Sequence, residues 1–167
     1  MIEIKGSKAL EARLKRIADF KSRAKPFLLD IANEVKNEIR LSFEEQSSPF
    51  GTKWQELKES TKKSRLKGRK GKKSPILRIL DDTGDLRSKW SIKTKGDSEI
   101  LVVGSAKSHG FPYGLTHNYG SNRAGRGRKT EIPARPFLPI NKNEISTPLK
   151  KAIANAKKKL LKDFKGL

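Results

Sequence analysis

The chain has no cysteine, a single methionine, few aromatic side chains and fewer than half as many acidic as basic residues. Without cysteine neither a disulfide nor a thiolate metal site can form, so a reducing compartment is compatible with the fold. No stretch approaches the roughly 20 apolar residues of a membrane span, and Met1 to Gly6 lacks the apolar run of a signal peptide. We therefore expect a soluble protein made in the cytoplasm.

The length and charge of the chain limit its architecture and its partners. At 167 residues it is long enough for one domain, 1–167, with one core. Residues 1–61 carry 12 basic and 10 acidic side chains, whereas residues 62–167 carry 27 and 8, and the formal net charge is +21. This asymmetry predicts an anionic partner, either nucleic acid or an acidic protein surface, with a membrane surface less favoured.

Apolar residues at helical spacing predict long helices at both ends of the chain. One helix is expected over about 8–23 and a second over about 25–45, with a break or kink at Pro26. A third is expected over about 147–163, with Thr147 as its cap and Pro148 in its first turn. The apolar positions are Leu10, Leu14, Ile17, Leu28, Ile31, Ala32, Val35, Ile39, Phe43, Ile145, Leu149, Ile153, Ala156, Leu160 and Phe164.

Between the helices, alternating apolar and polar residues predict a β-hairpin over about 88–104. Trp90 and Ile92 begin the first strand, a polar turn follows, and Ile100 to Val103 form the second strand. Lys129 to Ile132 is a candidate third strand, which Pro133 would end. A small antiparallel sheet packed by long N-terminal and C-terminal helices is an α+β fold.

Two basic segments, at about 62–75 and 121–129, contain no acidic residue. Their like charges repel and they offer no apolar face, so we expect loops that stay mobile until an anionic partner binds. Such runs are more often plain solvated surface, but the lack of acids within them favours a partner. The expected contacts with that partner are Lys67, Arg69, Lys70, Lys72, Lys73, Arg123, Arg126, Arg128 and Lys129.

Few side chains have the type and spacing that catalysis needs. His109 and His117 are the only groups that titrate near neutrality, and neither has metal-ligand spacing to another ligand. Asp81, Asp82 and Asp85 could share a cation, but they flank a short helical turn, where Asp81 or Asp82 is better explained as a cap. The glycine-rich stretch around the histidines lacks a phosphate-binding fingerprint. We predict no catalytic residue, no metal site, no cofactor and no enzyme activity.

Four short segments carry a more specific signal. In the first, Pro49 and Gly51 end a helix, and Trp54 and Leu57 can fold back onto its apolar face. With helices at both ends, the four segments in this order resemble the phage virion morphogenesis family, the tail-completion and neck proteins of tailed bacteriophages. The basic segments depart from the family pattern. The four segments are Ser48–Thr61, Leu80–Leu86, His117–Gly120 and Ile132–Leu138.

The resemblance implies structural roles for the residues of these segments. His117 and Tyr119 are expected to pack and hydrogen-bond in a turn over the hairpin, and Phe137 to fill the core beside the C-terminal helix. Arg135, between two prolines, suits a fixed salt bridge or, as we expect, a contact across subunits. The structural positions implied by the family motifs are Gly51, Trp54, Leu57, Thr61, Gly84, Leu86, His117, Gly120, Arg135, Pro136 and Phe137.

The same resemblance implies a structural virion protein that acts in tail completion or head–tail joining. Its expected form is a ring, with six copies the expected number, at the neck or the head-proximal end of the tail. Its expected partners are its own copies and adjacent neck, head-closure or tail-tube proteins, with nonspecific contact to packaged DNA as a further candidate and no membrane. The alternative is a nonspecific nucleic-acid-binding protein, which would contact only the backbone because no base-reading motif is present.

Overall fold

A computed structural model describes residues 7–68, 77–96, 99–107, 110–125 and 127–165. Within these ranges the chain forms six helices and four strands, which confirms the α+β class. The helices are α1 (Ser7–Ala18), α2 (Phe20–Glu45), α3 (Glu59–Lys67), α4 (Asp85–Ser88), α5 (Tyr113–Tyr119) and α6 (Thr147–Lys165). The strands are β1 (Trp90–Lys95), β2 (Glu99–Gly104), β3 (Ser121–Ala124) and β4 (Thr130–Ile132).

The break between α1 and α2 lies at Asp19, so its predicted position at Pro26 is wrong. Asp19 keeps right-handed helical backbone angles, and its carbonyl accepts the Ser22 hydroxyl at 2.8 Å and the Arg23 N–H at 3.1 Å. A serine hydroxyl that bonds the preceding turn bends a helix locally. Pro26 lies inside α2, and helical hydrogen bonds from the Asp19 N–H to Lys15 and from the Arg23 N–H to Asp19 connect the two helices across the break.

Helices α2 and α6 pack against each other in opposite directions. Near the start of α2, Arg23 Nη1 lies 3.6 Å from an Asp163 carboxylate oxygen. Further along, Lys159 Nζ lies 3.3 Å from an oxygen of Asp30. These two ion pairs fix the register, so that the last turn of α6 lies beside the first turns of α2.

A buried polar contact joins the same two helices at the other end. Ser146 caps α6, where the sequence predicts Thr147, and its Oγ accepts the Leu149 N–H at 3.3 Å. The Ser146 hydroxyl also donates to Glu38 Oε1 at 2.7 Å. Both residues are buried, and burial raises the pKa of the Glu38 carboxyl while the Ser146 bond opposes that rise.

The four strands form two separate antiparallel pairs. The predicted hairpin is confirmed as β1 and β2, with Trp90 opposite Gly104 and Lys95 opposite Glu99. Gly104 is required because a Cβ there would lie 2.7 Å from the Trp90 ring. The candidate third strand exists as β4 but pairs with β3, so it does not extend the first sheet.

The core gathers around Phe43, which is fully buried on α2. Its ring centroid lies 5.4 Å from that of Trp54 and 5.5 Å from that of Phe137. Phe137 contacts Trp90 in turn, with centroids 5.9 Å apart. Aromatic pairs at these distances add to the stabilisation that area burial provides. Trp54 therefore folds back over the end of α2, and Phe137 lies in the core, where the sequence predicts them.

The first basic segment begins as a helix, although the sequence predicts a loop. Lys62 in α3 pairs with Glu59 at 2.8 Å and with Glu56 at 3.4 Å, and Arg65 lies 3.5 Å from Asp82. The segment itself lacks acids, but acids from outside it fold alongside and balance its charge. Residues 69–76 lie outside the described residues, so mobility in this region stays a prediction.

Candidate functional site: a motif cluster beside a polar cleft

The first and fourth motif segments are tied together through backbone carbonyls. The Trp54 indole N–H donates to the Pro136 carbonyl at 2.7 Å. Arg135 is buried, and its guanidinium donates to the carbonyl of Gln55 at 2.9 Å and to that of Glu56 at 3.1 Å. Arg135 is therefore bonded inside its own fold, and the expected contact across subunits stays a prediction.

The third segment closes the same cluster. The buried Asn118 side chain accepts the N–H of Phe137 at 2.9 Å and of Leu138 at 3.0 Å. Gly120 has φ +76°, and a Cβ there would lie 2.9 Å from the backbone nitrogen of Ala134. The sequence analysis assigns no role to Asn118. Its short amide side chain, between His117 and Tyr119 in a motif segment, is a signal that could have indicated one.

The second segment joins through Leu86, which is buried in the core. Its carbonyl accepts the Trp90 indole N–H at 2.8 Å. Gly84, at φ +78°, is the N-cap of α4, and the Thr83 hydroxyl, rather than an aspartate, accepts the Asp85 N–H at 3.4 Å. The predicted aspartate cap is therefore wrong. The three aspartates instead form ion pairs: Asp81 with Arg87 at 3.5 Å, Asp82 with Arg65 at 3.5 Å and Asp85 with Lys89 at 2.9 Å.

The Arg135 N–H also donates to the His117 carbonyl at 2.8 Å. We define the motif cluster as the positions that these bonds connect, that the core buries or that approach another backbone segment closely: Trp54, Leu86, His117, Asn118, Gly120, Arg135, Pro136 and Phe137. These bonds and core contacts join residues of all four motif segments. The motif cluster therefore stabilises the fold, which fits a structural role for the motifs.

A polar cleft of about 820 Å³ opens beside the motif cluster, between α3, α5 and β4. Side chains of both charge signs line it, including Lys58, Lys107, Asp82 and Glu131. Such a mixed lining suits a polar protein surface better than a phosphate group. The motif positions that line the cleft are Leu57, Thr61, Leu86, His117 and Arg135.

His117 lies on α5, where the sequence predicts a turn, and Tyr119 is exposed rather than packed. Burial lowers the pKa of His117, and the charge of Arg135 lowers it further. Its Nδ1 is buried without a hydrogen-bond partner among the described residues. Its ring meets that of Tyr113 edge to face, with centroids 6.0 Å apart. A neutral imidazole with no carboxylate bonded to it among those residues lacks the arrangement of a catalytic triad.

The predicted anionic-partner contacts fall into two groups. Arg123, Arg128 and Lys129 are exposed on the β3–β4 hairpin, and Lys67 is exposed at the end of α3. The remaining predicted contacts lie outside the described residues: Arg69, Lys70, Lys72, Lys73 and Arg126.

A second cationic surface, the outer face of α6, is not among the predicted partner contacts, although the helical pattern of the sequence already places lysines opposite the apolar stripe. Lys159 is also exposed but pairs with Asp30 on α2. The other exposed lysines of α6 are Lys150, Lys151, Lys157, Lys158 and Lys162.

In the part of the chain that the structure covers, no group of three or more His, Cys, Asp or Glu side chains could hold a metal ion. Over the same part, no helix combines the length and apolar character that crossing a membrane requires.

Comparison with known proteins identifies the family of this chain. The model of the phage virion morphogenesis family matches residues 6–161. The Mu-like prophage FluMu G protein 2 of Haemophilus influenzae is 31% identical over 137 residues, which is 82% of this chain and 81% of that protein. FluMu G protein 1 of the same organism is 32% identical over 116 residues, or 70% of this chain and 68% of that protein. No solved structure matches the chain. The chain therefore belongs to the phage virion morphogenesis family, and its role lies in building a phage particle.

Proposed function

We propose that this chain is a catalytically inert ring component that completes the tail or joins head to tail, at the neck or the head-proximal end of the tail. The supporting observation is that the motif cluster joins all four motif segments in the folded core, with Arg135 bonded to the carbonyls of Gln55 and Glu56. In a morphogenesis protein, motif residues that stabilise the fold favour a structural role over an enzymatic one. The ring has six copies in this proposal, and its neighbours are neck, head-closure or tail-tube proteins.

The β3–β4 hairpin is the surface that meets an acidic neighbour in this proposal. Arg123, Arg128 and Lys129 project from it, and none of them forms an ion pair with a described residue. The two strands pair with each other, so a folded β-hairpin positions these cations. Complementary charge on a neighbouring ring would raise the association rate and orient docking more than it would raise the affinity.

Charge reversal of the hairpin tests this proposal. The variant Arg123→Glu/Arg128→Glu is added to an extract of heads and tails made without the protein. Both side chains are exposed, so the variant is expected to fold as the wild type does but to join few heads to tails. The control Lys93→Glu/Lys142→Glu makes the same change of net charge at exposed sites elsewhere and should restore joining. Equal joining by the two variants would overturn the role of the hairpin.

Nonspecific binding of nucleic acid is the second proposal, because the net charge of +21 includes a face of α6 that is rich in lysine. A dedicated binder with 6–10 phosphate contacts loses roughly 10³–10⁵ in affinity between 50 and 200 mM salt. Titration of duplex DNA across that range separates the two proposals. Tight binding with this steep loss would favour the second, and no binding at physiological salt would remove it.

A further inference from the structure

Helix α1 carries an apolar stripe that the described part of the chain leaves mostly exposed. Leu10 and Leu14 lie one turn apart and are 59% and 57% exposed. Because Asp163 in the last turns of α6 pairs with Arg23 on α2, α6 ends beside the start of α2. Helix α1 therefore extends past the end of its neighbour, and its apolar stripe has little among the described residues to pack on.

A groove of matching character lies on the same chain, between α2 and β2. It has a volume of about 590 Å³ and is walled by apolar side chains of α2, by Ile100 and Val102 of β2, and by Leu138 to Ile140. Ile140 is 50% exposed at its edge. Of the described residues that line it, Glu99 is the only charged one.

The stripe and the groove agree in length and in charge. The 12 residues of α1 make a helix about 18 Å long, and the α2 wall from Leu28 to Ile39 is about 17 Å long. Helix α1 has four basic residues and one acidic one, whereas the groove has an acidic residue at its edge, the exposed Glu99, which lies 3.8 Å from Lys95 on β1. Apolar contact with a fitting charge pair is the pattern of a helix bound in a groove.

Helix α1 cannot reach the groove of its own chain. Only Asp19 separates it from α2, and helix–helix connections that reverse direction usually need about 2–8 residues. We infer that α1 of one copy binds in the α2–β2 groove of the next copy, head to tail. A heterologous contact of this kind closes into a ring when its rotation allows. The inference rests on the proposed ring and deepens it by naming the two surfaces that meet.

Cysteine cross-linking tests the contact directly, because the natural chain has no cysteine. Leu14→Cys in one preparation is mixed with Ile140→Cys in another and treated with a short bismaleimide. We expect cross-linked dimers from the mixture and loss of that product when either variant is used alone. A chain with both substitutions should give a ladder of oligomers that ends at the size of the ring.

The matched control places the cysteine at Ala12, on the opposite face of α1. Ala12→Cys mixed with Ile140→Cys should give no dimer, since that face points away from the groove. Dimers from Leu14→Cys alone would mean that α1 pairs with α1 and would overturn the inference. A product from the Ala12 mixture equal to that from the Leu14 mixture would also overturn it.

A second measurement does not depend on cross-linker geometry. Sedimentation at rising protein concentration should show self-association of the wild type and its loss in Leu10→Asp/Leu14→Asp and in Ile140→Lys. Mixing these two variants leaves one intact stripe and one intact groove, so dimers should return. Self-association that is the same in both variants as in the wild type would overturn the inference.

The doubly substituted chain, Leu14→Cys/Ile140→Cys, separates this inference from the proposed function when it is carried into particles. Particles that hold the protein at the neck, but give no cross-link between the α1 position and the groove position, would overturn the inference and leave the function standing. Finished particles that lack the protein would overturn the function.

Discussion

The substitution Ser146→Ala removes the buried contact between α2 and α6 and leaves the rest of the fold in place. The Ser146 hydroxyl caps α6 through the Leu149 N–H and donates to Glu38 at 2.7 Å. Loss of a serine cap costs about 1 kcal/mol, and loss of a hydrogen bond to a charged group costs about 1.5–3 kcal/mol. The expected fall in the free energy of unfolding is therefore about 3 kcal/mol, or a fall in Tm of about 6–12 °C for a chain of this size.

The cost should depend on pH in a defined direction. Burial raises the Glu38 pKa above its ordinary value of 4.5, so the native state holds this proton more tightly than the unfolded state does. The contribution of the Glu38 carboxyl to the free energy of unfolding is therefore fully present below pH 4.5 and is lost as the pH rises through its raised pKa. Ser146 stabilises the ionised carboxylate, so its removal should cost more at about pH 7 than at about pH 4.

Urea denaturation at the two pH values measures this, with two reference variants. Thr147→Ala, at the exposed neighbour, should change the free energy of unfolding by less than about 0.5 kcal/mol. In a Glu38→Gln background, Ser146→Ala should cost less than in the wild type, because the charge is gone. If Ser146→Ala costs no more than Thr147→Ala, or costs the same in both backgrounds, the reasoning about this contact is refuted.

Three further predictions concern the motif cluster. Gly120→Ala should cost at least about 2 kcal/mol, because a Cβ there meets the Ala134 backbone, whereas Gly110→Ala at a similar φ of +80° meets nothing and should cost less in the same urea assay. Trp54→Phe keeps a ring in the core but leaves the Pro136 carbonyl without its donor, so unfolding should need about 1–3 kcal/mol less; an unchanged denaturation midpoint would contradict the bond. Wild-type stability should fall as pH drops through 6.5, because the His117 pKa is lowered in the native state; His117→Gln should lose that part of the pH slope, and an identical slope would contradict the assignment.

The long elements could be predicted from the sequence because each carries its own periodicity. Helices α2 and α6 and the β1–β2 hairpin follow repeats of apolar residues that only those structures can bury. The break at Asp19 could not be predicted, because it depends on a hydroxyl contact from Ser22 rather than on the nearby proline. Single-residue events of this kind leave no repeat in the sequence.

Contacts made outside the short segments themselves explain the other differences. In the basic stretch of α3, Arg65 lies beside Asp82 from another part of the chain, and Lys62 pairs with Glu59 and Glu56 just before the stretch. Charge counted within the stretch alone shows neither contact. Arg135 is buried because its guanidinium finds two carbonyls some 80 residues away. Such partners become visible only when the chain is folded.

The central claim is that an inert, cationic building block completes the junction between head and tail. Electron microscopy of particles assembled in its absence, and again after purified protein is added back, tests this claim most directly. The account predicts separate heads and tails without the protein and joined particles after its addition. Normally joined particles in its absence would contradict the account.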